Sequence, residues 1–309
     1  REKCGVEYFD YYLLHALDAE HYKNVKRLDC FGFAMQKKAE GILPGSQNDP
    51  EYDPRQKQFP LVKMPLLSEI PLDQQMSRTE YKEQLKFYQK KLDHLHDQIY
   101  RWKIPVILAY EGWDAAGKGG NIKRITSALD PRGYQVIPIA APKPYELARH
   151  YLWRFWQRLP KKGHIVIFDR TWYGRVMVER LEGFCSESDW QRAYTEINEF
   201  EQQLSDWGAV ILKFWIQIDK ETQLERFEER QNTPEKQWKI TDEDWRNREK
   251  WDEYDHAVNE MLQKTSTSYA PWHIIESNCK YYARIKTLRL LTEALEAAIE
   301  QAQQRAEKK

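Results

Sequence analysis

A glycine-rich loop with a lysine near its end holds the residues best suited to chemistry. Gly112, Gly117 and Lys118 have the spacing G-x-x-x-x-G-K of a phosphate-binding loop. Glycines let the backbone curl so that several N–H groups point at phosphate oxygens, and the following helix adds partial positive charge. The Lys118 ammonium would then reach a β- or γ-phosphate. The other interpretation is a glycine-rich strand-to-helix turn in which the lysine has no such role.

One position departs from the common loop pattern. The residue after the lysine is Gly119, where Ser or Thr would normally hold Mg²⁺. Asp114 lies inside the loop, and a carboxylate there would repel phosphate unless a cation lay between them. We therefore predict that Asp114 takes part in holding the metal.

A second candidate site follows the apolar run at residues 165–168, which ends in Asp169. In open α/β sheets, ligands bind at the carboxyl ends of strands, where an Asp can hold Mg²⁺. Arg170 and Arg175 follow on a short turn, and guanidinium groups bind phosphoryl oxygens in pairs of hydrogen bonds. Glu179 could orient one of these arginines. Alternatively, Asp169 caps the next helix and the arginines form surface ion pairs.

The composition limits the classes of protein to consider. The 309 residues suffice for one large or two modest domains, and 48 basic residues balance 48 acidic ones, so the overall charge does not indicate nucleic acid. Between residues 101 and 180, however, 15 basic residues outnumber 6 acidic ones. This excess favours either a polyanionic ligand or a solvated basic surface. The four cysteines lie far apart, so neither a zinc site nor a disulfide framework is indicated.

Location and assembly are inferred from more general features. No signal peptide or long apolar segment is apparent, which predicts a cytoplasmic protein that binds neither membranes nor nucleic acid. Because the chain begins with Arg1, we expect it to have been processed, trimmed or excised from a longer protein. Long helices at both ends of the core and twelve tryptophans predict a homo-oligomer.

Strand and helix patterns alternate along the chain, which predicts a parallel sheet covered by helices on both faces. A long helix is expected from Ser77, with Glu80 completing its capping box. Further helices are expected over residues 146–159, with Arg149, Arg154 and Arg158, and over residues 187–207, 244–264 and 282–309. Strands are predicted at residues 106–110, 135–139, 165–168, 209–218 and 272–277.

The domain organisation follows from breaks in these patterns. We predict a helical N-terminal extension or remnant of an upstream domain at residues 1–40, a linker or arm at 41–76, the phosphate-loop domain at 77–300 and a frayed tail at 301–309. Residues 230–244, with Arg230, Lys236, Trp238 and Lys239, would fold over bound phosphates as a lid that excludes water. The alternative for this segment is a solvated charged hairpin.

The two motifs together resemble the second family of polyphosphate kinases. The resemblance rests on residues 111–120 and 168–175 and extends over about residues 72–295. A loop G-x-D-x-x-G-K-G combined with D-R-x-W-Y is far more specific than a phosphate-loop pattern alone. The resemblance implies a three-layer, thymidylate-kinase-like phosphate-loop kinase fold with a helical lid. It also implies Mg²⁺-dependent movement of phosphate between inorganic polyphosphate and nucleotides.

Site residues follow from the resemblance position by position. We expect catalytic roles for Asp114, Lys118, Asp169, Arg170 and Arg175. Of these, Asp114 and Asp169 would hold Mg²⁺, or Mn²⁺ in its place. Phosphate contacts fall to Gly112, Ala115, Ala116, Gly117, Lys118, Gly119, Gly120, Lys123, Arg124, Arg230 and Lys239. Nucleotide contacts fall to Trp113, Lys143, Tyr173 and Glu179. Thr171 departs from the Ser that is usual in the family, and either hydroxyl could serve.

The run at residues 172–184 resembles the branch of the family that phosphorylates nucleoside monophosphates, whose members are often two fused copies. This implies conversion of AMP to ADP, with polyphosphate and adenine nucleotides as partners. Three alternatives stay open: polyphosphate-dependent phosphorylation of nucleoside diphosphates, an ATP-dependent nucleoside monophosphate kinase, and an inactive phosphate-binding module.

Overall fold

A five-stranded parallel sheet places the two motifs side by side. The computed structural model describes residues 58–307, so the predicted extension 1–40 and residues 41–57 of the predicted arm lie outside it. The strands are β1 (Val106–Gly112), β2 (Tyr134–Pro138), β3 (Ile165–Asp169), β4 (Val210–Gln217) and β5 (Trp272–Glu276). They lie in the order β2-β3-β1-β4-β5, and every neighbouring pair is parallel. The predicted parallel α/β fold is confirmed.

The pairing of β1 with β3 positions the site. Tyr110 pairs with Asp169, so the phosphate loop after β1 and the turn after β3 leave the sheet at the same edge. Because the carboxyl ends of parallel strands share one edge, this is where a ligand is expected. The first five residues of β1 are completely buried, which agrees with their apolar character.

The helices connect the strands. The α-helices are α1 (Arg78–Trp102), α2 (Lys118–Thr126), α3 (Pro144–Leu147), α4 (Trp153–Trp156), α5 (Val178–Leu181), α6 (Glu187–Asp206), α7 (Lys220–Gln231), α8 (Asp242–Glu249), α9 (Trp251–Thr265) and α10 (Lys280–Glu307). Short 3₁₀ helices span Leu67–Glu69, Trp172–Val176 and Pro234–Lys239. Ser77 caps α1 as predicted, because its hydroxyl accepts a hydrogen bond from the Glu80 amide at 3.1 Å. Within residues 58–307, no helix is both long and apolar enough to cross a membrane.

Three helix predictions need correction. The helix predicted over residues 146–159 is two single turns, α3 and α4, because the His150 ring accepts a hydrogen bond from the Leu152 amide and competes with helical pairing. The helix predicted over residues 244–264 is divided at Lys250 into α8 and α9. The C-terminal helix continues to Glu307, although fraying was predicted from residue 301.

A buried ion pair connects β4 to the turn that follows β3. The Lys213 ammonium donates to Glu201 on α6 and to the Thr265 carbonyl, both at 2.7 Å, and neither charged side chain is exposed. Glu201 also accepts from the Trp172 indole at 3.1 Å and the Tyr173 hydroxyl at 2.7 Å. Since Trp172 and Tyr173 directly follow the Asp169–Thr171 turn, this network holds that turn against the core.

Lys213→Met is expected to lower the free energy of unfolding by about 3–5 kcal/mol, because it leaves the buried Glu201 carboxylate without its cation. Urea unfolding followed by circular dichroism measures this change. The double variant Lys213→Met/Glu201→Leu should lose less stability than the single variant. A single variant as stable as the wild type would show that the pair does not need both charges.

Candidate active site

Close contacts and backbone conformation favour glycine at two positions of the loop. A Cβ atom on Gly112 would lie 2.5 Å from the Ile216 carbonyl oxygen, so only glycine fits between β1 and β4 there. Gly117 has a φ of +112° and forms the N-cap of α2, a conformation that side chains rarely adopt. The strand, loop and helix arrangement predicted for residues 106–126 is therefore present.

Lys118 curls back over the loop at the start of α2. Its ammonium donates hydrogen bonds to the carbonyls of Gly112 and Trp113. Burial lowers the pKa of Lys118. Three carboxylates lie close enough to oppose that shift: Asp114, Glu111 and Asp169. The two predicted metal-holding residues, Asp114 and Asp169, thus lie near the same ammonium group.

Asp114 is contacted from two other elements. One carboxylate oxygen lies 3.3 Å from the Arg170 guanidinium, and the other accepts from the Asn247 amide at 3.0 Å. Arg170 comes from the turn after β3, and Asn247 comes from α8. Asp114 therefore joins the phosphate loop to the second motif and to α8, which begins within the predicted lid segment.

A buried carboxylate holds the two motifs together. Glu111, the last residue but one of β1, is 5 % exposed. One of its oxygens accepts from both the amide and the hydroxyl of Thr171, each at 2.7 Å. The Thr171 hydroxyl in turn accepts from the Tyr173 amide at 3.1 Å. The hydroxyl at position 171 thus anchors the turn that carries Arg170, whose φ is +67°.

A cavity of about 600 Å³ opens between the loop and this turn. Of the predicted residues, its lining includes Gly112, Trp113, Asp114, Lys118, Arg170, Arg175 and Glu179. Apolar and aromatic lining comes from Ile139, Phe155, Met177, Trp215 and Tyr254, among others, and further positive charge comes from Arg149 and Arg154. A lining that combines cations with aromatic side chains suits a ligand that has both phosphate and a flat ring.

Arg175 is held in place and still has an unused donor. Its Nη1 atom lies 3.1 Å from Glu179, and its guanidinium stacks 4.5 Å from the centre of the Tyr151 ring. Its Nε–H is buried and has no hydrogen-bond partner in the protein. A buried guanidinium N–H without an acceptor is costly unless a ligand supplies one. This donor is therefore suited to an oxyanion in the cavity.

Two predicted nucleotide contacts do not reach the cavity. Tyr173 is fully buried, and its hydroxyl is hydrogen-bonded to Glu201 and Lys213, so the structure does not support a contact with nucleotide. Lys143 is exposed at the N-terminus of α3 and is absent from the cavity lining. Trp113, in contrast, lines the cavity and stacks on Trp251 at a centroid distance of 3.7 Å.

The residues predicted to bind phosphate along α2 differ in their surroundings. Gly119 is exposed with open space around it, and Lys123 is exposed. Arg124 donates to the Tyr81 hydroxyl at 3.2 Å and to the Gly120 carbonyl at 3.3 Å. Its guanidinium is therefore used to attach α2 to α1, which argues against the phosphate contact predicted for it.

Arg230 and Lys239 lie outside the cavity, where the Arg230 guanidinium donates to the Lys239 carbonyl at 3.1 Å. Arg230 belongs to a basic cluster with Arg226, Lys280 and Arg284. Burial lowers the pKa of Arg226 and of Lys280, and the neighbouring positive charges act in the same direction. Arg284 is absent from the cavity lining and lies 3.3 Å from the point that a Cβ atom on Gly120 would occupy.

Two carboxylates near Lys118 are available to a metal, Asp114 in the cavity lining and Asp169 outside it. Among residues 58–307, no group of three His, Cys, Asp or Glu side chains is arranged to hold an ion. Mg²⁺ keeps several waters and commonly takes one or two protein carboxylates together with substrate phosphates. Asp114 and Asp169 therefore fit Mg²⁺ in number and chemistry.

Several site residues were not found from the sequence. Glu111, Gln223, Arg226 and Asn247 all contact the loop or the turn beside it. Gln223 and Arg226 have i, i+3 spacing on α7, but any amphipathic helix shows that spacing. Asn247 has no distinguishing signal in the sequence.

The fold and the site together define an α/β domain of the phosphate-loop kinase type. Residues 75–304 match the family model described as polyphosphate kinase 2 (PPK2). The chain belongs to the polyphosphate kinase 2 family.

Known relatives agree with this assignment. The polyphosphate:AMP phosphotransferase of Pseudomonas aeruginosa is 54% identical over 234 residues, which are 75% of this chain and 47% of the relative. The AMP/ADP-polyphosphate phosphotransferase of Meiothermus ruber is 38% identical over 215 residues, 69% of this chain and 80% of the relative. The crystal structure of a putative polyphosphate kinase 2 from P. aeruginosa superposes with a TM-score of 0.74 and 52% identity, covering 76% of this chain and 51% of that one. The chain spans about half the length of these two P. aeruginosa proteins.

Thr171→Val is expected to lower the free energy of unfolding by about 1–3 kcal/mol, because the buried Glu111 loses a donor and the Tyr173 amide loses its acceptor. Thr171→Ser keeps the hydroxyl and should lose about 0.8 kcal/mol or less, the value of one buried methyl group. Urea unfolding of both variants tests the role of the hydroxyl. Equal losses in the two variants would contradict it.

Proposed function

We propose that this chain transfers the terminal phosphate of inorganic polyphosphate to AMP, with Mg²⁺, and releases ADP. The observation that carries the proposal is the composition of the cavity. A phosphate loop with Lys118, two arginines from the neighbouring turn and an aromatic wall surround one space of about 600 Å³. That volume is in the range of small-ligand sites, and a nucleoside monophosphate has the matching parts.

The acceptor would bind with its phosphate toward Arg170 and Arg175. The buried, unpartnered Nε–H of Arg175 supports this orientation. Apolar and aromatic side chains of the same lining, including Met177 and Tyr254, would contact the base. The 54% identical relative is named for AMP, and AMP also appears in the name of the 38% identical one. The first name favours a monophosphate acceptor, whereas the second includes AMP and ADP alike.

The donor would lie on the other side of the loop. The basic cluster of Arg226, Arg230, Lys280 and Arg284 is there, with Arg284 next to Gly120. A row of cations suits a chain of phosphates, whereas an ATP donor would require a pocket for a second base. The names of both relatives include polyphosphate, which supports the same donor.

The chemistry would be an in-line displacement. A phosphate oxygen of AMP attacks the terminal phosphorus of polyphosphate, the anhydride bond breaks, and the shortened polyphosphate leaves. The attacking oxygen is already anionic, so the reaction needs little help from a general base. The loop amides and Lys118 would hold the transferred group, while Arg170 and Arg175 would hold the acceptor. Catalysis would then come mainly from positioning and charge stabilisation.

Asp114 and Asp169 would hold Mg²⁺, or Mn²⁺ in its place. A divalent ion at this position neutralises charge on the phosphoryl oxygens. Asp114 now contacts Arg170 and Asn247, so it would exchange at least one of these contacts for the ion.

Residues 230–244 would act as the lid. This segment contains the 3₁₀ helix Pro234–Lys239 and the start of α8. Glu243 and Asn247 extend from α8 into the cavity lining, so movement of the segment would change access to the site.

The first test is formation of ADP from AMP and Mg²⁺ with long-chain polyphosphate as donor, compared with ATP. We expect turnover with polyphosphate and little with ATP. Phosphorylation of ADP alone would leave the family intact and remove AMP as acceptor. Turnover with ATP alone would contradict the proposed donor, and ligand binding without any turnover would indicate an inactive phosphate-binding module.

Asp114→Asn is expected to lower kcat by about 10²–10³-fold, as loss of a charge-stabilising contact does in other enzymes. Asp130→Asn is the matched control, because Asp130 pairs with the exposed Arg132 and lies outside the cavity lining. Steady-state assays at saturating Mg²⁺ measure both. Turnover of Asp114→Asn near the wild-type value would remove Asp114 from the metal site.

A further inference from the structure

Three consecutive carbonyl groups of the phosphate loop face helix α7. Gln223 donates from its side-chain amide to the Asp114 carbonyl at 3.1 Å. Arg226, one turn further along the same helix face, donates to the carbonyls of Ala115 and Ala116, both at 3.0 Å. Both side chains are buried, with 2 % of Gln223 and 6 % of Arg226 exposed. Side chains from one helix thus satisfy one continuous stretch of loop backbone.

The second Nη atom of Arg226 connects the loop to the chain after β5. Nη2 donates to the carbonyls of Ser277 and Asn278, at 2.5 Å and 3.0 Å. The Ser277 hydroxyl donates to the Ala116 carbonyl at 2.7 Å. One guanidinium therefore bridges two segments that are far apart in sequence, and each of its acceptors is a backbone carbonyl.

This arrangement determines which way the loop backbone points. A phosphate loop binds its anion with N–H groups directed inward, which requires the carbonyls to point elsewhere. The α7 side chains supply donors for those outward carbonyls. Ala115 has a φ of +59°, an unfavourable conformation for a residue with a side chain. Surrounding contacts must hold such a conformation in place.

Arg226 also adds positive charge next to the phosphate loop. Among the described residues, it forms no ion pair with a carboxylate. Burial lowers the pKa of Arg226 to about 10, with Arg230 and Arg284 acting in the same direction, and the group stays protonated at neutral pH.

We propose that Gln223 and Arg226 are positioning residues that hold the phosphate loop in its anion-binding form and so determine affinity for the polyphosphate donor. The proposal rests on the proposed function for the identity of the donor. The effect of changing Arg226 should be selective, because Arg226 is absent from the lining of the cavity in which Arg170 and Arg175 would hold the acceptor. Gln223 is part of that lining, so its variant tests the loop rather than the selectivity. Residues that merely stabilise the fold would not discriminate between the two substrates.

Three variants distinguish a role in positioning the loop from a role in stabilising the fold. Arg226→Lys keeps the charge and loses the fork of hydrogen bonds, and Gln223→Met keeps the size and loses the donor. Gln263→Met is the matched control, because Gln263 makes the same type of bond to the Met64 carbonyl at 2.7 Å, and neither residue lines the cavity. We expect the KM for polyphosphate to rise about tenfold or more in Arg226→Lys and about threefold in Gln223→Met. The KM for AMP should stay within about twofold in Arg226→Lys, and neither KM should change in Gln263→Met.

Amide hydrogen exchange in the substrate-free protein provides a second, independent measurement. Exchange of the peptide covering residues 114–120 should be faster in Arg226→Lys and Gln223→Met than in the wild type, with strand β1 unchanged. An unchanged KM for polyphosphate or an equal rise in both KM values in Arg226→Lys, or unchanged exchange of this peptide in either variant, would overturn the proposal. If Arg226→Lys does not fold, the KM for polyphosphate and the exchange of this peptide in Gln223→Met decide. If the wild type does not use polyphosphate, the proposed function fails, and the exchange measurement alone decides whether the two residues position the loop.

Discussion

The hydrogen bonds from Thr171 to the buried Glu111 carboxylate are the constraint on which the site depends. They join the end of β1 to the turn after β3, so the lysine of one motif and the arginines of the other share one cavity. A buried carboxylate needs good donors, and Thr171 supplies two from one residue. The ion pair of Lys213 with Glu201 stabilises the same turn from the core, because Glu201 also accepts hydrogen bonds from Trp172 and Tyr173.

Charge in the site is arranged so that acidic and basic groups partly neutralise each other before ligands bind. Lys118 lies near three carboxylates, and Asp114 already contacts Arg170. Under the proposed function, phosphates and a divalent cation would exchange with these internal partners and leave no buried charge unpaired. The same exchange would allow an acidic residue, Asp114, within the phosphate loop. Asn247 extends this arrangement to α8, which begins within the segment proposed as the lid.

The parts of the site that could be predicted are those encoded by local pattern. The strand, the glycines and Lys118 are adjacent in sequence, and both Gly112 and Gly117 have conformations or contacts that demand glycine. The direction of the Tyr173 side chain could not be predicted from local pattern. It lies within a motif at the site, yet its side chain points into the core toward Glu201, a residue 28 positions away. A single helix was also expected where α3 and α4 are separate turns, because a side chain-to-backbone bond at His150 outweighs local helical preference.

The sequence by itself determined the alternation of strands and helices, the phosphate loop and the family, because each depends on residue types at short, fixed spacing. The tertiary structure decided which distant polar groups meet the loop. Gln223 and Arg226 lie more than 100 positions from the loop carbonyls to which they donate, and Asn247 lies 133 positions from Asp114. Such contacts arise from parallel strand order and helix packing, which bring together the ends of elements regardless of their separation along the chain. For this reason the cavity and its supporting contacts became visible only in the folded chain.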